Sequence, residues 1–117
     1  MQADSLLEML RDGVVVADGA MGSMLNARGV PWNACFEALN LDRADLVKAV
    51  HLEYVAAGSQ LIETNTFAAN RNRLASAGIG DSVKEVNAAA VRLARSVIPN
   101  NVFLGGAVGP YGRAAQG

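Results

Sequence analysis

The sequence predicts an α/β protein built on a parallel sheet, and three observations lead to this fold class. Short apolar segments suited to buried strands recur along the chain, at residues 14–17, 61–62 and 102–104. Longer stretches with apolar residues at the helical period separate them, and strands joined by helical crossovers pair in parallel. Hydrophobic residues make up 51% of the chain and aromatic residues only 5%, so Ala, Val, Leu and Ile must supply the core.

Local signals justify each element. The first strand, residues 14–17, is wholly apolar and largely β-branched, as expected for a strand buried on both faces. The predicted helices cover residues 5–12, 42–57, 69–77 and 82–97. Gly13 ends the first helix, and Asp42 is a plausible N-cap for the second. The side chains of Ser82 and Glu85 can form a capping box at the start of the fourth.

The length of the chain limits the architecture. With 117 residues, it is one domain or part of one. Three strands are few for a parallel sheet, and no predicted helix covers the last one. Because an eight-unit (β/α)₈ barrel needs roughly 200–250 residues, we interpret residues 1–117 as the amino-terminal portion of a longer fold, its first three βα units. An uncovered strand edge also favours self-association.

The charge balance argues against several classes of partner. The chain has 10 Lys plus Arg and 11 Asp plus Glu, for a formal net charge of -1, whereas nucleic-acid binders normally carry a basic excess. No apolar run approaches the roughly 18 residues of a membrane span, and the amino terminus lacks a signal-peptide pattern. We therefore expect a cytoplasmic protein without nucleic-acid or membrane partners. The single cysteine, Cys35, permits no internal disulfide.

Candidate ligand-binding residues follow the predicted strands, because parallel α/β folds bind ligands at the carboxyl ends of their strands. The Asp18 carboxylate suits an ammonium group, although local sequence slightly favours a turn or helix-capping role. Gly19 permits close ligand approach or a turn. Glu63 faces either the pocket or a partner such as Arg71. Thr64 can bind a small polar ligand or cap the following helix.

Four other features have plainer interpretations. Asn65 and Thr66 are favoured as caps of the next helix. The glycine-rich turn at residues 105–110 could form an anion-binding nest, but it departs from the nucleotide-binding fingerprint, so phosphate binding is a weak hypothesis. Cys35 is predicted to pack as a small hydrophobic residue. His51 lies in mid-helix and is predicted to be structural or solvated.

Five segments stand out when the chain is taken as a whole. They are Asp18-Gly19-Ala20-Met21-Gly22-Ser23-Met24-Leu25, Phe36-Glu37-Ala38-Leu39-Asn40-Leu41, Ala57-Gly58-Ser59-Gln60-Leu61-Ile62-Glu63-Thr64-Asn65-Thr66-Phe67, Asn70-Arg71 and Ala107-Val108-Gly109-Pro110. In this order and spacing the chain resembles the homocysteine S-methyltransferase family, above all the homocysteine-binding domain of methionine synthases and related bifunctional enzymes. The motifs at residues 18–22 and 63–67 are specific in combination.

The resemblance implies a (β/α)₈ TIM barrel in which zinc, bound by cysteine thiolates, holds the homocysteine sulfur as a nucleophilic thiolate. The methyl donor in such enzymes is a methylated folate, cobalamin, betaine or S-methylmethionine, depending on the member. Asp18 and Gly19 match the motif that helps hold the amino-acid part of homocysteine, and Glu63 and Thr64 match the motif lining the same pocket. Ala107 stands where the family often has Ser.

The cysteines that bind zinc in the family lie on later strands and have no counterpart in these 117 residues. Cys35 matches a family cysteine that is not a zinc ligand. We therefore expect homocysteine as the ligand, but neither a metal site nor a catalytic residue nor methyl transfer in this chain alone. The alternative hypothesis is a non-catalytic module that pairs its open sheet edge with another copy or another barrel fragment.

Overall fold

The computed structural model describes residues 5–112, which form a mixed helix and strand structure with a small parallel sheet. The α-helices in this range are α1 (Leu6–Asp12), α2 (Met21–Ala27), α3 (Leu39–Asp42), α4 (Ala44–Ala56), α5 (Arg71–Ala75) and α6 (Val83–Val97). The strands are β1 (Leu61–Glu63) and β2 (Phe103–Gly105). Single 3₁₀ turns, Phe36–Ala38 and Gly80–Ser82, precede α3 and α6.

The sheet confirms the predicted parallel pairing of the second and third apolar segments. β1 and β2 run parallel, with Leu61 opposite Phe103 and Glu63 opposite Gly105. Helices α5 and α6 form the crossover between them. Because both strands end at the same edge, the residues that follow Glu63 and Gly105 lie side by side at the carboxyl end of the sheet.

The first apolar segment is extended, but the prediction of a strand buried on both faces is wrong for the described residues. Residues 14–17 make one parallel bridge, between Ala17 and Leu61. The side chain of Val14 is 88% exposed and that of Val16 is 53% exposed. Burial on both faces needs a packed layer on each side of the sheet, and α1, the nearest helix in sequence, has no buried residue.

The helices differ from the sequence prediction in three respects. Asp42 is the last residue of α3, and Arg43 occupies the N-cap of α4, so Asp42 is not that cap. Ser82 makes no capping hydrogen bond, because it closes a 3₁₀ turn instead of adopting the extended conformation of a capping residue. Helix α2 (Met21–Ala27) and the short helix α3 (Leu39–Asp42) are further elements that the four predicted helices did not include.

Other local predictions are confirmed. Helix α1 ends at Asp12 before Gly13, as expected, and the structure adds a cap at its start, where the hydroxyl of Ser5 accepts a hydrogen bond from the amide of Glu8 at 3.2 Å. Helix α6 buries one apolar stripe and ends before Pro99. Cys35 is partly buried and packs against a small apolar cluster. His51 is fully buried, which makes it structural and not solvated.

Two apolar clusters hold the helices around the carboxyl end of the sheet. One joins α2 to α4 through Leu25 and Val50, and the other joins α5 to α6 through Leu74 and Val86. These four side chains are fully buried, and burial of each contributes roughly 1.5–3 kcal/mol. The packing places the start of α2 and the segment after β1 next to each other. No helix within residues 5–112 is long and apolar enough to cross a membrane.

Candidate functional site

A cavity of about 320 Å³ opens at the carboxyl ends of the strands. All five residues predicted from the sequence to bind substrate line it: Asp18, Gly19, Glu63, Thr64 and Ala107. They come from three chain segments, namely the end of the first extended segment, the end of β1 and the turn after β2. The topology therefore brings together side chains that lie up to 89 residues apart in sequence.

Asp18 links the first extended segment to β1. Its Oδ2 accepts a hydrogen bond from the backbone amide of Glu63 at 3.1 Å. The N-cap of α2 is Ala20, so the predicted capping alternative for Asp18 is not what the structure contains. Burial raises the pKa of the Asp18 carboxyl, and the nearby charge of Glu63 raises it further, while the bond from the Glu63 amide opposes both. A carboxylate in this position gains from a cationic partner.

Gly19 has a steric reason to be glycine. A Cβ atom there would lie 2.9 Å from the hydroxyl oxygen of Tyr54. That hydroxyl donates a hydrogen bond to the carbonyl of Ala20 at 2.7 Å and ties the start of α2 to α4. Burial and the neighbouring Asp18 charge raise the pKa of Tyr54, so it remains the protonated donor. Gly19 thus allows Tyr54 to fix the backbone beside the cavity.

Glu63 is exposed at the mouth of the cavity. The pairing with Arg71 considered from the sequence is absent, because Arg71 pairs with Asp81 at 2.9 Å. Within residues 5–112 no salt bridge involves the Glu63 carboxylate. Its side chain is therefore available to a ligand.

A closed ring of hydrogen bonds joins the tips of β1 and β2. The amide of Ala107 donates to Thr64 Oγ1 at 3.3 Å, and Thr66 Oγ1 donates to the carbonyl of Ala107 at 2.7 Å. The two hydroxyl oxygens lie 2.7 Å apart. Since the Thr66 proton is used on a carbonyl, the hydroxyl of Thr64 must donate to Thr66. Thr64 therefore keeps one lone pair and no proton, and can only accept a hydrogen bond from a ligand.

The predicted capping roles of Asn65 and Thr66 are wrong, because Asn70 caps α5 through its bond to the amide of Arg73 at 2.9 Å. Asn65 instead pairs with Asn40. The Asn65 side-chain amide donates to Asn40 Oδ1 at 3.0 Å, and Asn40 donates to the Asn65 carbonyl at 2.9 Å. This buried amide pair holds the segment after β1 against α3.

The glycine-rich turn after β2 is closed by internal hydrogen bonds. The amides of Ala107 and Gly109 donate to Thr64 and to the carbonyl of Phe67, respectively. A Cβ atom on Gly109 would lie 2.4 Å from the Phe67 carbonyl oxygen, so glycine is required there. Two of the amides that an anion nest would use are thus occupied, which disfavours the phosphate-binding hypothesis.

Glu37 and Phe67 also line the cavity, and the sequence analysis did not select them. Glu37 is buried, and its Oε2 accepts a hydrogen bond from the amide of Ala68 at 3.1 Å. The only sequence signals were the positions of Glu37 and Phe67 in the segments at residues 36–41 and 57–67 that carried the family resemblance. None of the residues lining the cavity is Lys, Arg or His, so its charged groups are the carboxylates of Asp18, Glu37 and Glu63.

The described residues do not fit a zinc site. Cys35 packs against Ala69, Leu74 and Val86 and does not line the 320 Å³ cavity. No group of three His, Cys, Asp or Glu side chains within residues 5–112 is arranged to hold a metal ion. A zinc-bound thiolate needs cysteine ligands that this chain does not supply.

Comparison with known proteins decides the family. A family model described as homocysteine S-methyltransferase matches residues 15–117. The chain belongs to the homocysteine S-methyltransferase family. Methionine synthases from Mycobacterium tuberculosis and Mycobacterium leprae are 35% and 37% identical to it over 98 and 100 residues, and each match covers 79% of this chain.

Solved structures of the family share the fold. The metallated form of the homocysteine methyltransferase MmuM from Escherichia coli matches 91% of this chain with a TM-score of 0.77 at 28% identity. The oxidized form matches 92% with a TM-score of 0.77 at 29% identity. The chain spans 8% of the length of the two methionine synthases and 41% to 42% of these MmuM chains.

Proposed function

We propose that this chain is the amino-terminal part of a homocysteine S-methyltransferase barrel and that it recognises the amino-acid end of homocysteine. The observation that carries this proposal is the gathering of Asp18, Glu63 and Thr64 around one cavity, all of them able to accept hydrogen bonds. An acceptor-rich cavity lined by no basic residue suits an ammonium group. Family membership supplies homocysteine as the ammonium-bearing ligand.

Each residue has a defined part in binding. The carboxylates of Asp18 and Glu63 offset the ammonium charge, and Thr64 accepts one N–H through its remaining lone pair. Gly19 leaves room for Tyr54, which fixes the backbone at the start of α2. Ala107 supplies the amide and carbonyl that orient the two threonine hydroxyls. The side chains thus bind and orient the substrate, and we assign none of them a proton or methyl transfer.

Zinc and the methyl donor belong to the whole enzyme in this proposal. The family resemblance implies zinc-bound thiolate chemistry and a folate, cobalamin or S-methylmethionine donor, but the residues present here do not fit the metal. The chain should therefore bind the amino-acid end of homocysteine without making methionine.

Two measurements on the 117-residue chain test the proposal. Titration of L-homocysteine under reducing conditions, followed by amide NMR, should move the amide of Glu63, which is bonded to Asp18. The analogue 4-mercaptobutanoate lacks the ammonium group and should leave that amide in place. Absence of any homocysteine-dependent shift, or zinc-dependent methionine formation by this chain alone, would contradict the proposal.

The second candidate function is a non-catalytic module that assembles through its sheet. Its supporting observation is the exposure of Val14 and Val16 beside a two-stranded sheet. Within the described range β2 pairs only with β1, so its other edge is open to another strand.

A further inference from the structure

Glu37 is a buried residue whose carboxylate has only one of its two oxygens hydrogen-bonded. Its residue surface is 8% exposed. Oε2 accepts the bond from the amide of Ala68, whereas no hydrogen bond or ion pair to Oε1 exists within residues 5–112. Oε1 is not among the fully buried side-chain atoms that lack a partner in this range, so it keeps some accessible surface where Glu37 lines a cavity and can accept a hydrogen bond from a ligand there.

The position of Glu37 shows where such a partner can come from. Glu37, Phe36 and Phe67 form a partition between the 320 Å³ cavity and a neighbouring cavity of about 620 Å³. Ala68, which holds Oε2, lines only the larger cavity. One oxygen of Glu37 is therefore bonded to a residue of the larger cavity, and because Glu37 also lines the smaller cavity, its second oxygen can serve a ligand there.

The surroundings favour a cationic donor on the smaller side. The larger cavity is lined by Arg73, but no salt bridge joins Arg73 to Glu37. The smaller cavity has no basic lining residue. A positively charged ligand group in the smaller cavity would supply the missing donor to Glu37 and would be attracted by the two other carboxylates there.

We propose that Glu37 is a further substrate-binding residue, whose free carboxylate oxygen accepts a hydrogen bond from the ammonium group of the ligand. The inference rests on the proposed function and adds a specificity role to it. With Asp18 and Glu63, Glu37 makes one end of the cavity strongly negative. That end accepts the ammonium group and repels the ligand carboxylate, so it selects the orientation of the amino acid and rejects thiols without an amine.

Two backbone amides serve as separate reporters. The amide of Ala68 is bonded to Glu37, and the amide of Glu63 is bonded to Asp18. In an amide NMR titration of the 117-residue chain with L-homocysteine, both should shift together. The thiol amine 3-aminopropanethiol, which has the ammonium but no carboxylate, should also move both, and 4-mercaptobutanoate should move neither.

The variant Glu37→Gln tests the charge of Glu37 separately from its hydrogen bond to Ala68. Glutamine retains an oxygen that can accept the Ala68 amide, so the fold should be preserved, but it presents no carboxylate to the cavity. Loss of a charged hydrogen bond should weaken L-homocysteine binding about tenfold or more. The Ala68 shift should disappear while the Glu63 shift survives at higher ligand concentration. The matched control is Glu85→Gln, which removes an exposed carboxylate on α6 outside both cavities.

The outcomes separate this inference from the proposed function. If Glu37→Gln binds homocysteine as the unaltered chain does and its Ala68 amide still moves, the inference is overturned and the proposed function stands. If the ligand moves the amides of Asn72 and Arg73 but not that of Glu63, Glu37 serves the larger cavity and the inference is again overturned. If the unaltered chain shows no shift at all, both fail.

Discussion

Asp18 has both a structural and a proposed binding role, and the two place opposite demands on its charge. It accepts a bond from the Glu63 amide, which a neutral side chain could also do. Its carboxylate is partly buried near Glu63, and its pKa is raised for that reason. A raised pKa means that folding favours the protonated form, so the stability contribution is present at low pH and lost as pH rises through the folded pKa. At neutral pH the ionised Asp18 therefore destabilises the chain.

The variant Asp18→Asn tests this conflict. Asparagine keeps an acceptor for the Glu63 amide and removes the charge, so the free energy of unfolding at pH 7 should stay equal or rise, while homocysteine affinity falls about tenfold. Urea denaturation and NMR titration measure the two effects. Asp45→Asn is the control. The hydrogen bond from Arg43 lowers the pKa of Asp45, so removal of the Asp45 charge should not stabilise the folded chain. A less stable Asp18→Asn chain with unchanged affinity would leave Asp18 a purely structural residue.

His51 is the other buried titratable group at this scale. It is fully buried in α4, and neither ring nitrogen has a hydrogen-bond partner within the described residues. Burial lowers its pKa below the ordinary value of 6.5, so the folded chain holds the neutral form. The unfolded chain binds the extra proton first as pH falls.

The free energy of unfolding should consequently decrease as pH falls below about 6.5, by at most about 1.4 kcal/mol per pH unit for one proton. The chain has one histidine, so the assignment is unambiguous. Urea denaturation at pH values from 8 to 5 measures the effect. In His51→Leu this decrease in the free energy of unfolding between pH 6.5 and 5 should disappear. If the wild-type chain and His51→Leu show the same dependence of stability on pH over this range, the prediction for His51 is wrong.

At the scale of elements, the site depends on how two strand tips are tied together. Hydroxyls after β1 and one peptide group after β2 form the ring of Thr64, Thr66 and Ala107. Both threonines are buried, so every donor in the ring needs its acceptor. The ring orients Thr64 as an acceptor toward the cavity and keeps the turn after β2 in register with β1.

Thr66→Val should break this ring. Valine keeps the shape of threonine but leaves the Ala107 carbonyl and the Thr64 proton without partners, at a cost of about 1–3 kcal/mol in the free energy of unfolding. Hydrogen exchange of the Ala107 amide should also become faster. Thr66→Ser preserves the hydroxyl and is the control. If serine destabilises the chain and valine does not, methyl packing, and not the ring, stabilises the strand tips.

At the scale of the whole molecule, the described chain leaves much apolar surface open. Val14 and Val16 are exposed along the first extended segment, and Val108 is 91% exposed after β2. The sheet has two strands and a single bridge to a third segment. An open parallel edge flanked by exposed valines is poorly protected against pairing with another chain.

We expect the isolated chain to be marginally stable and to self-associate. Sedimentation velocity should show larger species as concentration increases, and Val14→Lys should shift the distribution toward monomer by placing a charge on the exposed segment. Leu52→Lys, at an exposed position on α4, is the control and should have little effect. A monomer at all concentrations with a sharp melt at high temperature would argue against this expectation.

Sequence reasoning succeeded where the signal is local or periodic. The β1 and β2 segments, the end of α1 and the buried stripe of α6 all follow from the side chains within one element. Asp18, Gly19, Glu63 and Thr64 were selected at the predicted strand ends and Ala107 through the family resemblance, and the structure places all five around one cavity. Their role in binding homocysteine stays a prediction until a ligand is titrated.

Sequence reasoning failed where two distant segments compete for the same group. Asn65 has the character of a cap, yet Asn40 binds it across 25 residues. Glu37 carries no local sign of burial beside a cavity. Such choices depend on which long-range partner is within 3 Å, and no single-segment pattern contains that information.

By itself the sequence determined the parallel α/β character and the family, and it indicated the strand ends as candidate binding positions, because hydrophobic periodicity and short motifs are properties of contiguous residues. Only the tertiary structure decided which polar groups line the cavity with hydrogen-bond acceptors still unused. In the folded chain the Thr64 hydroxyl donates its proton to Thr66, and one oxygen of Glu37 accepts a hydrogen bond from Ala68. Glu63 lines the cavity without a salt-bridge partner in the described residues. These arrangements depend on which groups the fold brings within hydrogen-bond distance.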